Sequence, residues 1–84
     1  MADIQIYTGD FCPYCTKAKA LLDRKGVDYT EIEVGRDAEK RAELTEKSGG
    51  LKTIPQIFID GKHIGGCDDL YALDDKGELD ALIQ

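Results

Sequence analysis

Two cysteines separated by two residues, in "FCPYC" at 11–15, are the part of this 84-residue chain best suited to chemistry. A thiol attacks a disulfide only as thiolate, and a free cysteine with a pKa of about 8.5 is mostly inert at neutral pH. Cysteines at this spacing can close a disulfide or supply half of a metal site. Zinc needs two more ligands. The remaining His and Cys candidates, His63 and Cys67, lie far off in sequence and in no paired motif. What Cys12 and Cys15 can do therefore depends on the elements that hold them.

"DIQIYT" (3–8) alternates polar and apolar residues around Ile4 and Ile6 and predicts a strand. Gly9-Asp10 makes a turn. From Pro13 to about Lys25, Ala18, Leu21 and Leu22 recur at helical spacing, and Gly26 supplies the stop. Pro13 suits a first helical turn, where its missing N–H costs nothing. The thiols thus sit where a strand runs into a helix. A helix N-terminus favours an anion through its unpaired N–H groups and its dipole. Cys12 falls at the N-cap or first helical position, and its sulfur can accept those N–H bonds. Cys15 lies a turn later on the same face, and deeper. This divides the labour: Cys12 is the exposed nucleophile, and Cys15 the thiol that resolves a mixed disulfide. Pro13 stiffens the loop, and Tyr14 walls one side of the sulfur.

The remaining elements follow by the same rules. Residues 27–34 alternate and predict a second strand. Residues 37–48 are rich in helix formers, with Asp37 as N-cap and Gly49-Gly50 as stop. "PQIFID" (55–60) is a third strand, turned by Gly61-Lys62 into a short fourth, "HIG", as a hairpin. Gly65-Gly66 breaks the chain. The tail from Cys67 to Gln84 has a helical pattern, with a break point at Asp75-Lys76-Gly77. The order β-α-β-α-β-β-α describes one α/β domain over 1–84. Its first half is a βαβ unit with parallel strands and a right-handed crossover.

Composition narrows the function. The net charge of −6 argues against nucleic acid, whose phosphates reward Lys and Arg, and against an anionic membrane surface. No stretch combines a basic start with an apolar run, and none has 18 consecutive apolar residues, so we expect neither a secretion signal nor a membrane span. Three cysteines in such a chain argue against a permanent disulfide framework and for a cytoplasmic protein.

Three motifs carry a resemblance. "CPYC" after a strand, "TIP" at 53–55 opening a strand, and "GGCDDL" at 65–70 opening the last helix together resemble a dithiol glutaredoxin of the small bacterial type. The likeness covers essentially the whole chain. C-x-x-C alone is shared by thioredoxins, isomerases and zinc modules, whereas the three motifs in this order and spacing are specific. The chain also lacks tryptophan, which a thioredoxin typically carries before its cysteines.

The resemblance implies a thioredoxin fold, with a four-stranded mixed sheet flanked by helices. It implies glutathione as co-substrate, with no permanently bound cofactor. Ile54-Pro55 resembles the family's cis-proline element, which turns the Ile54 backbone toward the cysteines so that an extended tripeptide can pair with it as an added strand. Thr53 stands beside it. Gly66, Cys67, Asp68 and Asp69 open a helix whose N–H groups suit the γ-glutamyl carboxylate. Asp69, and less directly Asp68, suits the γ-glutamyl ammonium group. Arg41 and Lys52 are the candidate cations for the glycyl carboxylate. Disulfide-containing or glutathionylated proteins are the implied partners, ribonucleotide reductase among them, and the implied state is a monomer.

One position departs from the family pattern. Many glutaredoxins carry a lysine three residues before the first cysteine, and here that position is Gly9, followed by Asp10. The helix terminus is left to stabilise the thiolate largely alone. Cys67 is either a small apolar residue near the site or a regulatory thiol open to glutathionylation or oxidative dimerisation. His63 reads as a surface or sheet residue. Two other functions stay open at this point: a thioredoxin-like reductase served by a flavin enzyme, and an iron–sulfur cluster carrier.

Overall fold

The computed structural model describes residues 2–51 and 53–83. β1 (Ile4–Thr8) is central in a four-stranded sheet of order β2-β1-β3-β4, with β2 over Thr30–Glu33, β3 over Gln56–Ile59 and β4 over Lys62–Gly65. β1 pairs parallel with β2 and antiparallel with β3, and β3 pairs antiparallel with β4. Side chains alternate across the two central strands, so each strand feeds two cores. Ile4 and Ile6 of β1 and Ile57 and Ile59 of β3 pack with Leu21, Leu22, Leu70 and Leu79 on one face. Tyr7 and Phe58 pack with Val34 and Leu44 on the other.

α1 (Pro13–Arg24) and α3 (Cys67–Asp75) cover the first face, and α2 (Ala38–Lys47) contributes Leu44 to the second. The Asp37 carboxylate caps α2 by accepting from the N–H groups of Glu39 (3.0 Å) and Lys40 (3.1 Å). The Tyr71 hydroxyl of α3 donates to the Lys17 carbonyl of α1 at 3.1 Å, so the two helices that begin at the site are tied together.

Two boundaries differ from the sequence expectation. β2 begins at Thr30, not Val27, because β1 offers partners only from Gln5 onward, opposite Thr30. Val27 and Tyr29 still pack against the core, which is why the alternation begins before the ladder does. The hairpin turn is Asp60-Gly61, with Lys62 already paired to Ile59. Both turn residues have positive φ, 52° and 80°, as a two-residue hairpin loop requires, and Asp and Gly tolerate that conformation while Lys does not. The tail divides into α3 and a separate turn of helix, α4 (Leu79–Ile83), at the break point expected around Gly77.

Candidate thiol site and adjoining groove

The chain leaves β1 at Thr8 and enters α1 at Pro13, and Cys12 is the N-cap between them. Its extended backbone (φ −110°, ψ 99°) lets the sulfur fold back over the first turn. The Cys15 N–H donates to Cys12 Sγ at 3.2 Å, one of the orphan donors of the helix start. Phe11, just before it, is fully solvent-exposed and adopts φ 54°, a left-handed conformation that an L residue enters at a cost of about 1–3 kcal/mol. The sequence reading passed over this residue. It is the bend that lifts Cys12 to the surface.

Cys12 is half-buried, whereas Cys15 is only 2% exposed. Burial pushes the Cys15 thiol up to about 12, with the neighbouring Cys12 sulfur adding to the shift and the Gly9 N–H and Lys19 opposing it. Burial also raises the Cys67 thiol. Cys67 is a core residue, 4% exposed, at the first position of α3. The structure thus presents one accessible sulfur at a helix N-terminus and a second, proton-bearing sulfur beneath it.

A groove of about 390 Å³ opens beside this pair. Tyr14, Thr53, Ile54 and Pro55 line one side of it, and Gly66, Cys67, Asp68 and Asp69 the other. The Ile54-Pro55 bond is cis, and the Ile54 carbonyl oxygen lies 4.0 Å from Cys12 Sγ. Asp69 bends back so that its Oδ2 accepts from the Gly66 N–H at 3.1 Å. Gly65, with φ 125°, leaves room for this: a side chain there would overlap the Asp69 carboxylate. Tyr14 is 59% exposed and stands over the groove as a wall.

One expected cation lies elsewhere. Arg41 is in the first turns of α2, its Nε donating to the Gly35 carbonyl, and it does not line the groove. Lys52 falls outside the described residues. His63 and Gln56, by contrast, do line the groove. The signal for them was in the hairpin register: with Asp60-Gly61 as the turn, Phe58 pairs with His63 and alternation puts Gln56 on the same face.

On the other side of the thiols, a polar cavity is lined by Gly9, Asp10, Cys12, Cys15, Lys19, Glu31 and Glu33. Glu31 accepts from the Thr8 hydroxyl (2.7 Å) and from Lys19 Nζ (2.9 Å). The Thr8 bond first, and then Lys19, hold the Glu31 carboxyl below its ordinary range. Gly9 allows the two sides to meet, since a Cβ there would stand 2.5 Å from Ile54 Cδ1. The usual lysine would therefore have to displace the side chain that borders the groove.

Residues 4–64 match the family model for glutaredoxin. The chain belongs to the glutaredoxin family. It is 56% identical over 84 residues to glutaredoxin 3 of Escherichia coli K12, covering all of both chains. It superposes on a glutaredoxin from Brucella melitensis with a TM-score of 0.86 at 57% identity, covering 99% of this chain and 89% of that one. It also superposes on a buckwheat glutaredoxin solved as a glutathione complex, with a TM-score of 0.85 at 31% identity, covering 98% and 76%. Its four-stranded mixed sheet with flanking helices is the thioredoxin fold. As a glutaredoxin with a paired thiol, it is a thiol–disulfide oxidoreductase.

Proposed function

We propose that this glutaredoxin draws its electrons from glutathione and reduces both glutathione mixed disulfides and protein disulfides. The observation that carries this reading is the groove itself, which joins the Ile54 carbonyl, 4.0 Å from Cys12 Sγ, to the N-terminus of α3. An extended tripeptide suits that span. Its cysteinyl backbone pairs with Ile54 beside Pro55, with Thr53 and Tyr14 flanking it. Its γ-glutamyl carboxylate takes the N–H groups at Cys67 and Asp68, beside Gly66. Its ammonium group pairs with Asp69 or Asp68. Of the two candidate cations for the glycyl carboxylate, Lys52 remains, since Arg41 does not line the groove. No resident cofactor is required, since glutathione enters as a co-substrate.

The chemistry follows from the asymmetry of the thiols. Cys12 thiolate attacks the glutathionyl sulfur of a mixed disulfide and releases the substrate thiolate, which takes up a proton. A second glutathione thiolate attacks the adduct, restores Cys12 and leaves as oxidised glutathione. This route needs only Cys12. With a protein disulfide, Cys12 forms a mixed disulfide and Cys15 displaces the substrate thiol, giving the Cys12–Cys15 disulfide, which two glutathione molecules then reduce. Glutaredoxin potentials of about −200 to −230 mV let a cytosolic glutathione pool drive that step. The protein partners are disulfide-bearing or glutathionylated proteins, and the working state is a cytoplasmic monomer.

The test is the electron donor. A mixed disulfide should be reduced rapidly when glutathione is regenerated by glutathione reductase, and only slowly when a flavin-dependent thioredoxin reductase is the sole source. The reverse preference would overturn the glutathione assignment and favour a thioredoxin-like reductase.

A further inference from the structure

Gln56 is only 3% exposed, and among the described residues lining the groove it is the one buried polar side chain. Both ends of its amide are engaged. His63 Nε2 lies 2.7 Å from Gln56 Oε1, and Gln56 Nε2 donates to Thr53 Oγ1 at 3.0 Å. An amide oxygen only accepts, so His63 must carry its proton on Nε2. The Thr53 oxygen accepts from the amide, which leaves its own hydrogen for another acceptor. The His63 ring is held in place by Phe58, with centroids 5.0 Å apart and planes tilted by 38°. His63 is also the only basic side chain among the described residues that line the groove.

We propose that His63 is a positioning residue for glutathione: through Gln56 it fixes the Thr53 hydroxyl as a donor to an acceptor oxygen of the bound tripeptide. This rests on the glutathione reading above. The relay reaches from β4 to the residue before Ile54, whose carbonyl borders the Cys12 sulfur. Each bond in it is a donor–acceptor pair in a partly desolvated wall, where one bond polarises the next. Without the His63 donor, the Gln56 amide can turn over, and Thr53 then donates inward and offers the ligand only lone pairs.

The experiment is glutathione-dependent turnover of a mixed disulfide by wild type, His63→Phe, His63→Gln and Thr53→Val, each first checked for folding by thermal melting. His63→Phe keeps a ring on Phe58 but removes the donor. It should raise the KM for glutathione about threefold to tenfold, the worth of one net hydrogen bond, with a smaller change in kcat. His63→Gln, which keeps an N–H donor, should recover most of the loss. Thr53→Val should match His63→Phe, and the double variant should be no worse than either alone. If His63→Phe does not fold, Thr53→Val and His63→Gln carry the same KM comparison. Nitrogen-15 spectra of the wild-type His63 ring should show the Nε2–H tautomer. An unchanged KM in His63→Phe, additive effects in the double variant, or an Nδ1–H tautomer would each overturn the relay. A wild type that takes no electrons from glutathione would instead sink the glutathione reading, and the relay with it.

Discussion

Cys12 and Cys15 stand one helical turn apart, yet one sulfur meets solvent and the other is sealed in the core. Thiolate is the reactive form, so a thiol raised to about 12 by burial stays protonated, and unreactive toward alkylating agents, until the pH approaches that value. Reduced protein treated briefly with iodoacetamide at pH 8 should carry one adduct, on Cys12. As read by peptide mass spectrometry, Cys15 should remain unlabelled at pH 8 and still at pH 10, and the buried Cys67 should remain unlabelled at pH 8. Rapid labelling of Cys15 at pH 8 would contradict the burial argument. The sequence made Cys12 and Cys15 legible because a C-x-x-C pair at a strand-to-helix turn needs only local reasoning. It did not reveal Phe11, whose role comes from a left-handed φ, nor the Thr8–Glu31–Lys19 cluster, which three separate elements assemble.

At the level of elements, the site is the meeting point of two helix N-termini and one loop, and their positions depend on what lies beneath them. α4 illustrates this. It is five residues long, too short to persist alone, yet Leu79 is fully buried against Leu21, Leu22 and Leu70 of the shared core. Lys25 reaches Asp74 at 2.6 Å and Asp80 at 3.0 Å, linking the end of α1 to α3 and α4. These ion pairs are at the surface and secondary to the packing. Leu79→Ala should therefore cost about 2–5 kcal/mol, measured as a lowered urea midpoint, out of a total of about 5–15 kcal/mol for a domain of ordinary stability. A loss below about 1 kcal/mol would show that α4 is an appendage rather than part of the core. The helices were readable from capping residues and stops: Asp37, Pro13 and the Gly77 break fall where expected. Strand ends were not, because they depend on where a partner strand begins.

Over the whole molecule, two cores on opposite sides of one sheet hold a reactive sulfur between a groove and an acidic cavity. The net charge of −6 sets solubility and partner choice rather than the chemistry. None of the described helices is long and apolar enough to cross a membrane. "CPYC" at 12–15 and the motifs "TIP" at 53–55 and "GGCDD" at 65–69 converge on one side of the molecule because the parallel β1–β2 unit and the antiparallel hairpin bring their ends to the same edge. The central claim is that Cys12 alone exchanges glutathione while Cys15 serves only dithiol chemistry. It is tested most directly by following one glutathionylated peptide and one disulfide-bonded protein with Cys12→Ser and Cys15→Ser. Cys12→Ser should be inactive on both. Cys15→Ser should still deglutathionylate the peptide and should lose reduction of the protein disulfide. Turnover by Cys12→Ser, or undiminished protein-disulfide reduction by Cys15→Ser, would contradict the assignment.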